Sequence, residues 1–463
     1  MEVKVGRTIE ITRPPQALVN WINKELKIDN PEYLKRKRLG LYISNQIYKK
    51  ISLYSQDSNK YILPFGTLRK LLNLRYENGN KVIPNDCLNV ENMYRTPVDF
   101  GGEVSLYDYQ EKAVEKAISS VYGIIQSPTG TGKTQMGLAL AQRIGLKTLW
   151  LTHTKDLLVQ SKQRAEQYFD KEGIGTITEG KVNIGETITF ATVQTMVRLN
   201  LPEYEKTWDV VIVDECHRVA GSPSSMGQFY KVLNSLSARK YGLSATVHRA
   251  DGFIESTYAI LGGIVVNVSQ DEVADKIVQV GIKPIETNFK LNPRMLKPDG
   301  TFDFNSFATE ISNDEKRKQL VVDKLLENTD HFNLTLSFRM KHLKDMKKML
   351  NRKDSALLEN KLSKEAREKV LQDMREGKIR YLFATFALAK EGLDIPRLDR
   401  LYLAFPNQDY GTITQSVGRI SRTFKDKKDA IVYDFVDELP YTVRAYKKRK
   451  KHYQRLNAYW VEE

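Results

Sequence analysis

Apolar and polar positions along the chain follow two patterns, and the pattern changes near residue 106. Before that point the elements are short. Alternating apolar and polar residues predict strands, and Pro14-Pro15 is typical of a helix start. The predicted elements are a strand over 3–12, a helix from Pro14-Pro15 through Leu26, strands over 49–54 and 61–63 paired around Asp57-Ser58-Asn59, and a helix over 66–74. The sequence therefore predicts a small α+β module at this end.

From Leu106 onward, short continuous apolar runs alternate with helical patterns. Such runs, rich in β-branched residues, are typical of strands buried on both faces of a parallel sheet. Alternating buried strands and helices predict an α/β fold, here as two tandem units joined near residues 270–290. The runs are 123–126, 148–152, 210–213, 240–243, 334–337, 381–384, 400–404 and 430–435.

The composition is that of a folded protein, with 41% hydrophobic and 28% charged residues in a chain of 463. No apolar run is long enough to span a membrane, and Met1 to Glu10 lacks the apolar core of a secretory signal. The 2 cysteines exclude a disulfide framework and a four-cysteine zinc site. We therefore expect a cytoplasmic protein, in a bacterium or a phage-infected host, with no membrane partner.

The formal net charge of +15 is concentrated at the two ends of the chain. Residues 1–100 carry +7 and residues 441–463 carry +5, which predicts a polyanionic partner such as nucleic acid. Ordinary solvated faces remain the alternative for each basic run. The candidate contacts are the runs Lys35–Arg38, Arg69-Lys70 and Lys447–Lys451, with Tyr33, Tyr42, Tyr48, Tyr54, Tyr446 and Tyr453 as tyrosines able to stack on bases.

A glycine-rich loop from Ser127 to Thr134 lies between a predicted strand and a predicted helix. Its glycines allow backbone N–H groups to close around phosphate oxygens. Lys133 can reach the β- and γ-phosphates of ATP, and the Thr134 hydroxyl can bind Mg²⁺. The sequence thus predicts an ATP-binding P-loop, although Ser127 stands where the general pattern has glycine. The predicted phosphate-binding residues are Thr129, Gly130, Thr131, Gly132, Lys133 and Thr134.

Two carboxylates and a histidine directly follow the apolar run 210–213. Ligands bind at the carboxyl ends of parallel strands, so these side chains are predicted to face the nucleotide. Asp214 is predicted to hold Mg²⁺, Glu215 to orient and deprotonate the attacking water, and His217 to couple the site to its neighbours. The 6 histidines show no metal-binding spacing and no nuclease-like set stands out, so no second chemistry is predicted.

These features and several further segments are similar to the motifs of DExH-type superfamily 2 helicases, and the chain is identified as a member of that family. His153 departs from the family pattern at motif Ia, where proline is usual. The matching segments occur in the family order: Tyr107–Gln110 (the Q element), Thr154–Leu157 (Ia), Ala191–Thr195 (Ic), Ser244–Thr246 (III), Ala384–Asp394 (V) and Gln415–Arg422 (VI).

The resemblance implies two tandem RecA-like P-loop domains with ATP bound between them, so that hydrolysis opens and closes the cleft. It implies that Arg419 and Arg422 stabilise negative charge in the transition state, with Gln415 beside them. It further implies nucleotide contacts by Gln110, Gly392 and Asp394.

The stretch after motif III, in which Arg249 precedes Asp251-Gly252, resembles the branch with XPB-like, UvsW-like and type III restriction motors. Proteins of that branch act mainly on DNA. The resemblance places contacts with the strand backbone at Lys155, Thr192, Arg249, Arg339 and Thr385. Backbone contacts do not read bases, so we expect little sequence specificity on branched, duplex or single-stranded DNA.

The sequence therefore predicts an ATP-dependent DNA helicase or translocase that remodels forks or recombination junctions, in replication, recombination, repair or branch migration. Replication or recombination proteins are the further partners considered. Two alternatives stay open: an RNA helicase of the same superfamily, and a motor subunit of a restriction or defence complex that does not unwind alone. The predicted domains are a basic N-terminal accessory domain over 1–103, RecA-like domains over 104–282 and 283–440, and a basic C-terminal tail over 441–463.

Overall fold

The computed structural model describes residues 1–38, 40–91, 95–222, 227–246, 253–359, 361–390, 393, 395–425 and 427–462. The chain divides into two compact units, Met1–Ser127 with Gly132–Val268, and Ser269–Glu463 with Pro128–Thr131. Among the helices of these described ranges, none is long and apolar enough to cross a membrane.

The first unit begins with an N-terminal module, residues 1–91, built on a mostly antiparallel sheet of order β5-β6-β2-β1-β7 and a short strand pair β3-β4. Helix α1 covers the sheet because Leu18 and Ile22 are buried against its apolar face. The elements are β1 (Glu2–Val5), β2 (Thr8–Thr12), α1 (Gln16–Glu25), β3 (Lys27–Asp29), α2 (Pro31–Arg38), β4 (Lys50–Ser52), β5 (Ser55–Asp57), β6 (Lys60–Pro64), α3 (Leu68–Leu72) and β7 (Leu88–Val90).

The strand predicted over residues 3–12 is a hairpin, so that prediction was wrong in length. β1 and β2 pair antiparallel across the turn at Gly6-Arg7. The turn keeps the alternation of apolar residues in phase, which is why the sequence pattern runs through it unbroken.

The second hairpin of the module also differs from the prediction. β4 pairs with β3, with Ile51 opposite Ile28, whereas β5 pairs with β6 around Ser58-Asn59. The predicted strand over 49–54 therefore has a different partner from the one expected. Its apolar pattern marks burial but carries no information about which neighbouring strand completes the pair.

The rest of the first unit is an α/β layer whose sheet has the order β11-β10-β12-β9-β13-β14-β8-β15. Every neighbouring pair is parallel except β10 with β11. The elements are α4 (Asp108–Ser119), β8 (Gly123–Gln126), α5 (Lys133–Ile144), β9 (Thr148–Thr152), α6 (Lys155–Ala165), β10 (Ile174–Thr178), β11 (Lys181–Asn183), β12 (Ile188–Thr192), α7 (Val193–Met196), β13 (Val210–Asp214), α8 (Gln228–Ser235), β14 (Arg239–Ser244), α9 (Ile254–Leu261) and β15 (Ile264–Asn267).

The second unit is another α/β layer, with an all-parallel sheet of order β18-β19-β17-β20-β21-β16-β22. The predicted α/β class with two parallel sheets is confirmed. The elements are β16 (Val280–Lys290), α10 (Phe304–Asn313), α11 (Glu315–Leu326), β17 (Asn333–Ser337), α12 (Met340–Leu350), β18 (Ser355–Leu357), α13 (Lys364–Glu376), β19 (Tyr381–Thr385), α14 (Phe386–Lys390), β20 (Arg400–Leu403), α15 (Tyr410–Ile420), β21 (Ala430–Glu438), α16 (Pro440–Arg455) and β22 (Tyr459–Trp460).

The segment predicted as a basic tail is an integral part of the second unit. It forms α16 and β22, and Arg449 of α16 makes a buried bidentate salt bridge with Asp434 of β21, with both N–O distances at 2.8 Å. Tyr453 is also buried, and its hydroxyl donates to Asp434 at 2.8 Å. These contacts fix the helix against the sheet, which the run of basic residues did not indicate.

Candidate functional site

The predicted nucleotide-binding segments of the first unit meet at one edge of its sheet. β8, β14 and β13 are parallel neighbours, so their carboxyl ends lie side by side. The P-loop follows β8, Ser244 ends β14 and Asp214 ends β13. This is the edge at which open α/β sheets bind ligands.

The P-loop has the backbone geometry that a phosphate cradle requires. Gly130 and Gly132 have positive φ angles of 90° and 75°, and α5 begins at Lys133, so its first N–H groups point towards the loop. A Cβ atom at Gly132 would lie 2.5 Å from Nε2 of the buried Gln110. The fit of this loop to a phosphate group therefore depends on glycine, and Gln110 lies directly against it.

Asp214 is buried, and its Oδ1 accepts a hydrogen bond from the Glu215 backbone N–H at 2.9 Å. Burial is the main cause that raises the pKa of Asp214 to about 7; the Glu215 carboxylate adds to the rise and the Lys133 ammonium opposes it. A divalent cation that prefers oxygen ligands would reduce the repulsion between these two adjacent carboxylates. With Thr134 in the first turn of α5, these residues fit Mg²⁺.

Glu215 has a left-handed backbone conformation, with φ of 50°, directly after β13. Nδ1 of His217 lies 3.2 Å from Glu215 Oε2 and 3.0 Å from Ser244 Oγ. Because the Ser244 hydroxyl donates to the Thr246 carbonyl oxygen at 2.7 Å, its oxygen is the acceptor, and His217 carries a proton on Nδ1. His217 thus lies between the water-activating candidate and motif III, and its coupling role stays a prediction.

Two predicted nucleic-acid contacts of the first unit lie at the same sheet edge. Thr192 ends β12 and Lys155 begins α6 just after β9, and β12 and β9 are parallel neighbours. The Lys155 ammonium forms an ion pair with Glu179, and Thr192 Oγ1 is 3.0 Å from Thr195 Oγ1. The nucleotide and nucleic-acid candidates therefore occupy adjoining halves of one edge.

The second unit repeats this placement. Arg339 caps α12 after β17, Thr385 ends β19, and β17 and β19 are parallel neighbours. The Arg339 guanidinium lies 5.7 Å from the Phe338 ring centroid, and Thr385 Oγ1 accepts a hydrogen bond from the Leu388 N–H at 3.3 Å. Both predicted contacts thus stand at the carboxyl ends of adjacent strands.

Motif VI lies on α15 and just beyond it. Arg419 donates from Nε to the Ala389 carbonyl oxygen at 3.1 Å and from Nη1 to the Leu393 carbonyl oxygen at 2.9 Å. Its guanidinium therefore holds α15 to the motif V segment. Gln415 is buried, and within the described ranges its Oε1 has no hydrogen-bond partner. Such an atom is suited to a ligand or an ordered water.

Three predicted site residues, Arg249, Gly392 and Asp394, lie outside the residues that the structure describes. So does most of the stretch after motif III, residues 247–252, on which the likeness to DNA motors depended.

Two family descriptions match the chain, one in each unit. "Type III restriction enzyme, res subunit" matches residues 103–249, and "Helicase conserved C-terminal domain" matches residues 316–424. The chain belongs to the superfamily 2 helicases. It is a nucleic-acid-dependent ATPase, as the resemblance predicted, and its two parallel α/β layers are the RecA-like lobes of that family.

Similar proteins include motors named for different nucleic acids. The DNA 3'-5' translocase XPB2 of Sulfurisphaera tokodaii is 27% identical over 75% of this helicase and 85% of its own length. A protein of Acanthamoeba polyphaga mimivirus, named as an ATP-dependent RNA helicase, is 24% identical over 94% of this chain and 80% of its own. An HsdR fragment of a Vibrio vulnificus type I restriction enzyme has a TM-score of 0.55 at 20% identity, covering 73% of this chain and 65% of its own.

Several basic and aromatic residues predicted to contact nucleic acid are inside the helicase. Tyr54 is buried and donates to Asn23 at 2.9 Å, and Arg449 and Tyr453 are buried by their contacts with Asp434. Those stacking and phosphate-binding predictions were wrong. The reason is that sequence alone does not reveal which face of an element packs inward.

Lys427 is a residue that the sequence did not single out. Its ammonium donates to the carbonyl oxygens of Pro396 at 3.3 Å, Leu398 at 2.5 Å and Arg422 at 2.8 Å. Burial lowers the pKa of Lys427 to about 8. It therefore holds the backbone at the last arginine of motif VI. Three carbonyls that converge from two separate loops leave no periodic signal in the sequence.

Proposed function

We propose that this helicase is an ATP-dependent DNA helicase or translocase that remodels branched DNA. The observation that carries the proposal is the shared sheet edge of the first unit, where the P-loop, Asp214 and Glu215 adjoin Lys155 and Thr192. Binding or hydrolysis of ATP at one half of that edge would then be transmitted over a short path to the half that binds the nucleic-acid strand.

In the proposed reaction the chain's own residues bind, orient and deprotonate. Lys133 and the N-terminus of α5 neutralise phosphate oxygens, while Asp214 and Thr134 would hold Mg²⁺, which screens phosphate charge when bound. Glu215 accepts the proton of the attacking water, and His217 lies beside its carboxylate, with Nδ1 3.2 Å from Oε2. Arg422, with Arg419 and Gln415, would meet the charge that develops in the transition state.

Exposed basic faces support nucleic acid as the partner of both units. On α2, Lys35 and Lys37 are exposed, and the loop after it exposes Tyr42 and Tyr48 by 81% and 72%. On α16, the exposed cations recur at helical spacing along one face, where they could follow a phosphate backbone. They are Arg444, Lys447, Lys448, Lys451 and Arg455.

DNA is favoured over RNA by the likeness to the DNA translocase XPB2 and by the restriction-enzyme family description. The RNA-helicase alternative has its own support in the mimivirus relative, which aligns over 94% of this chain. A motor that needs a nuclease partner is the third candidate, favoured by the same restriction-enzyme description. Fork or junction preference and a cytoplasmic location remain predictions.

The test is ATP turnover of the purified full chain at one fixed salt concentration. The panel comprises no nucleic acid, single-stranded DNA, linear duplex DNA, forked DNA and RNA of matched length, with Glu215→Gln as the blank. We expect the strongest stimulation by forked DNA, and binding that weakens steeply with salt because phosphate contacts release counterions.

Each other outcome selects a different function. Stronger stimulation by RNA would replace the proposal with an RNA helicase. No stimulation by any polymer would favour a motor that requires a partner subunit. Normal turnover in Glu215→Gln would show that another residue activates the water.

A further inference from the structure

Helix α9 contributes to two hydrophobic cores at once. Ala259 is buried in the core of the N-terminal module, among residues such as Ile9, Leu63 and Leu71. Ile260 and Leu261 are buried in the core of the α/β layer of the first unit, together with Cys216 and Val219. One short helix is therefore shared by the proposed substrate-binding module and the layer that carries Asp214–His217, the segment that corresponds to motif II of the family.

The module contacts the C-terminal end of α9 through backbone. A Cβ atom at Gly66 would lie 2.3 Å from the Gly262 nitrogen and 2.7 Å from the carbonyl oxygens of Ala259 and Tyr258. Only glycine permits this approach, because backbone atoms cannot move aside as a flexible side chain does. At this contact no side chain lies between the backbone of the module and that of α9. A displacement of the module is therefore not absorbed by side-chain movement.

Arg69 and Phe65 hold the module in this position. The Arg69 N–H donates to the Tyr122 hydroxyl at 2.8 Å, and its guanidinium donates to the Ser120 carbonyl oxygen at 2.7 Å. The Phe65 and Tyr122 rings pack edge to face with centroids 5.1 Å apart. These contacts surround the Gly66 approach and restrict sliding of the module over the layer.

The N-terminal half of α9 is bonded to the chain that leaves motif II. The Thr257 hydroxyl donates to the Val219 carbonyl oxygen at 2.6 Å, and Ser256 Oγ donates to the Gly221 carbonyl oxygen at 2.5 Å. The Gly221 N–H donates back to Ser256 Oγ at 3.0 Å. Both side chains are fully buried, so these bonds are shielded from water and hold their geometry.

We propose, on the basis of the proposed function, that α9 transmits nucleic-acid binding on the N-terminal module to the hydrolytic residues Glu215 and His217. Ser256 and Thr257 are positioning residues in this link. Val219 and Gly221 follow the short helical turn from Cys216 to Arg218, so a shift of α9 moves that turn. Binding at the module would thereby change turnover without any contact between nucleic acid and motif II.

The test compares Gly66→Ala with wild type in the full chain, measuring turnover without nucleic acid and at saturating forked DNA, and DNA binding by titration. We expect unchanged basal turnover and unchanged DNA affinity. We expect stimulated turnover to fall by about five- to tenfold, the lower end of the usual range of allosteric coupling. Gly263→Ala is the matched control, since a Cβ there meets nothing within 4 Å.

A second variant, Thr257→Val, removes the hydrogen bond at the other end of the helix. It should also lower the stimulated turnover and leave the basal turnover unchanged. The double variant is the decisive comparison. If both ends act through one helix, the loss of stimulated turnover in the double variant equals the larger single loss. Losses that act independently would instead multiply.

Three results would overturn the inference. They are full stimulation in Gly66→Ala at saturating DNA, a weakened DNA affinity as its only defect, and losses of stimulated turnover that multiply in the double variant. If wild type itself is stimulated by no nucleic acid, the proposed function fails as well, so the two failures are distinguishable. Point substitution is preferred to deletion of residues 1–100, because deletion would expose the Ala259 face of α9.

Discussion

Two buried arginines of the second unit and a buried lysine of the first unit show opposite ways of burying a cationic side chain. In the second unit, Arg449 pairs with Asp434, and Arg317 donates to both oxygens of Asp437 at 2.7 and 3.3 Å. In the first unit, Lys240 of β14 is equally buried, but its ammonium is bonded to the Ala238 carbonyl oxygen at 3.3 Å and lies 5.1 Å from the Phe65 ring centroid.

Moving a cation out of water costs free energy, and the buried arginines and the buried lysine offset this cost in two different ways. A guanidinium cannot lose its proton in a protein, so it is buried only with a carboxylate. A lysine can become neutral instead, and burial, with nearby Arg95 as a second cause, lowers the pKa of Lys240 to about 7. Arg449 and Arg317 are therefore held by charge pairs, whereas the contact of Lys240 with Phe65 of the module varies with pH.

Breaking a charge pair in the second unit should have the largest effect. We expect Arg449→Met to lower the free energy of unfolding by about 3–5 kcal/mol, because Asp434 would remain buried and charged. Urea unfolding measures the loss. Adding Asp434→Leu should restore most of it, and a single-variant loss no larger than that of an exposed pair would contradict the comparison.

Removing the buried lysine should raise the free energy of unfolding rather than lower it. We expect Lys240→Met to raise the free energy of unfolding at pH 7 by up to about 4–5 kcal/mol, since the pKa falls from 10.5 to about 7 and each unit of depression costs about 1.4 kcal/mol. The same unfolding assay measures the gain, with Lys231→Met, an exposed lysine of α8, as the control. A loss of stability would mean that the ammonium has a stabilising partner.

The pH dependence of that difference is the third prediction. Between pH 7 and the ordinary lysine pKa of 10.5, the unfolded chain holds a proton on Lys240 that the folded chain has released. Wild-type stability should therefore rise with pH over this window, by up to about 1.4 kcal/mol per pH unit. The advantage of Lys240→Met should shrink accordingly, and a constant difference from pH 7 to 10 would be inconsistent with a neutral buried lysine.

An exposed ion pair should matter least. Lys50 and Asp29 of the N-terminal module are 3.3 Å apart and more than half exposed. We expect Asp29→Asn to change the free energy of unfolding by less than about 0.5 kcal/mol, because water screens the pair. An effect close to that of Arg449→Met would remove burial as the explanation of the contrast.

The sequence predicted the α/β layers and the order of the motifs because both leave local patterns, namely apolar strand runs followed by short polar segments. It did not predict the pairing of β4 with β3 or the burial of Arg449. Those depend on residues far away in the chain, and Arg449 in a run of lysines looks like its exposed neighbours. Ser256 and Thr257 were missed for the same reason, since their acceptors are backbone carbonyls that have no sequence signature.

The short strand β22 has a consequence for handling the protein. It pairs with Gly281 and Ile282 of β16 and so covers part of the outer edge of that long strand. A chain cut after Arg455 would leave those N–H and C=O groups open to strands of other molecules. We expect such a truncation to self-associate on concentration, which light scattering would detect as a higher average mass than that of the full chain at the same concentration.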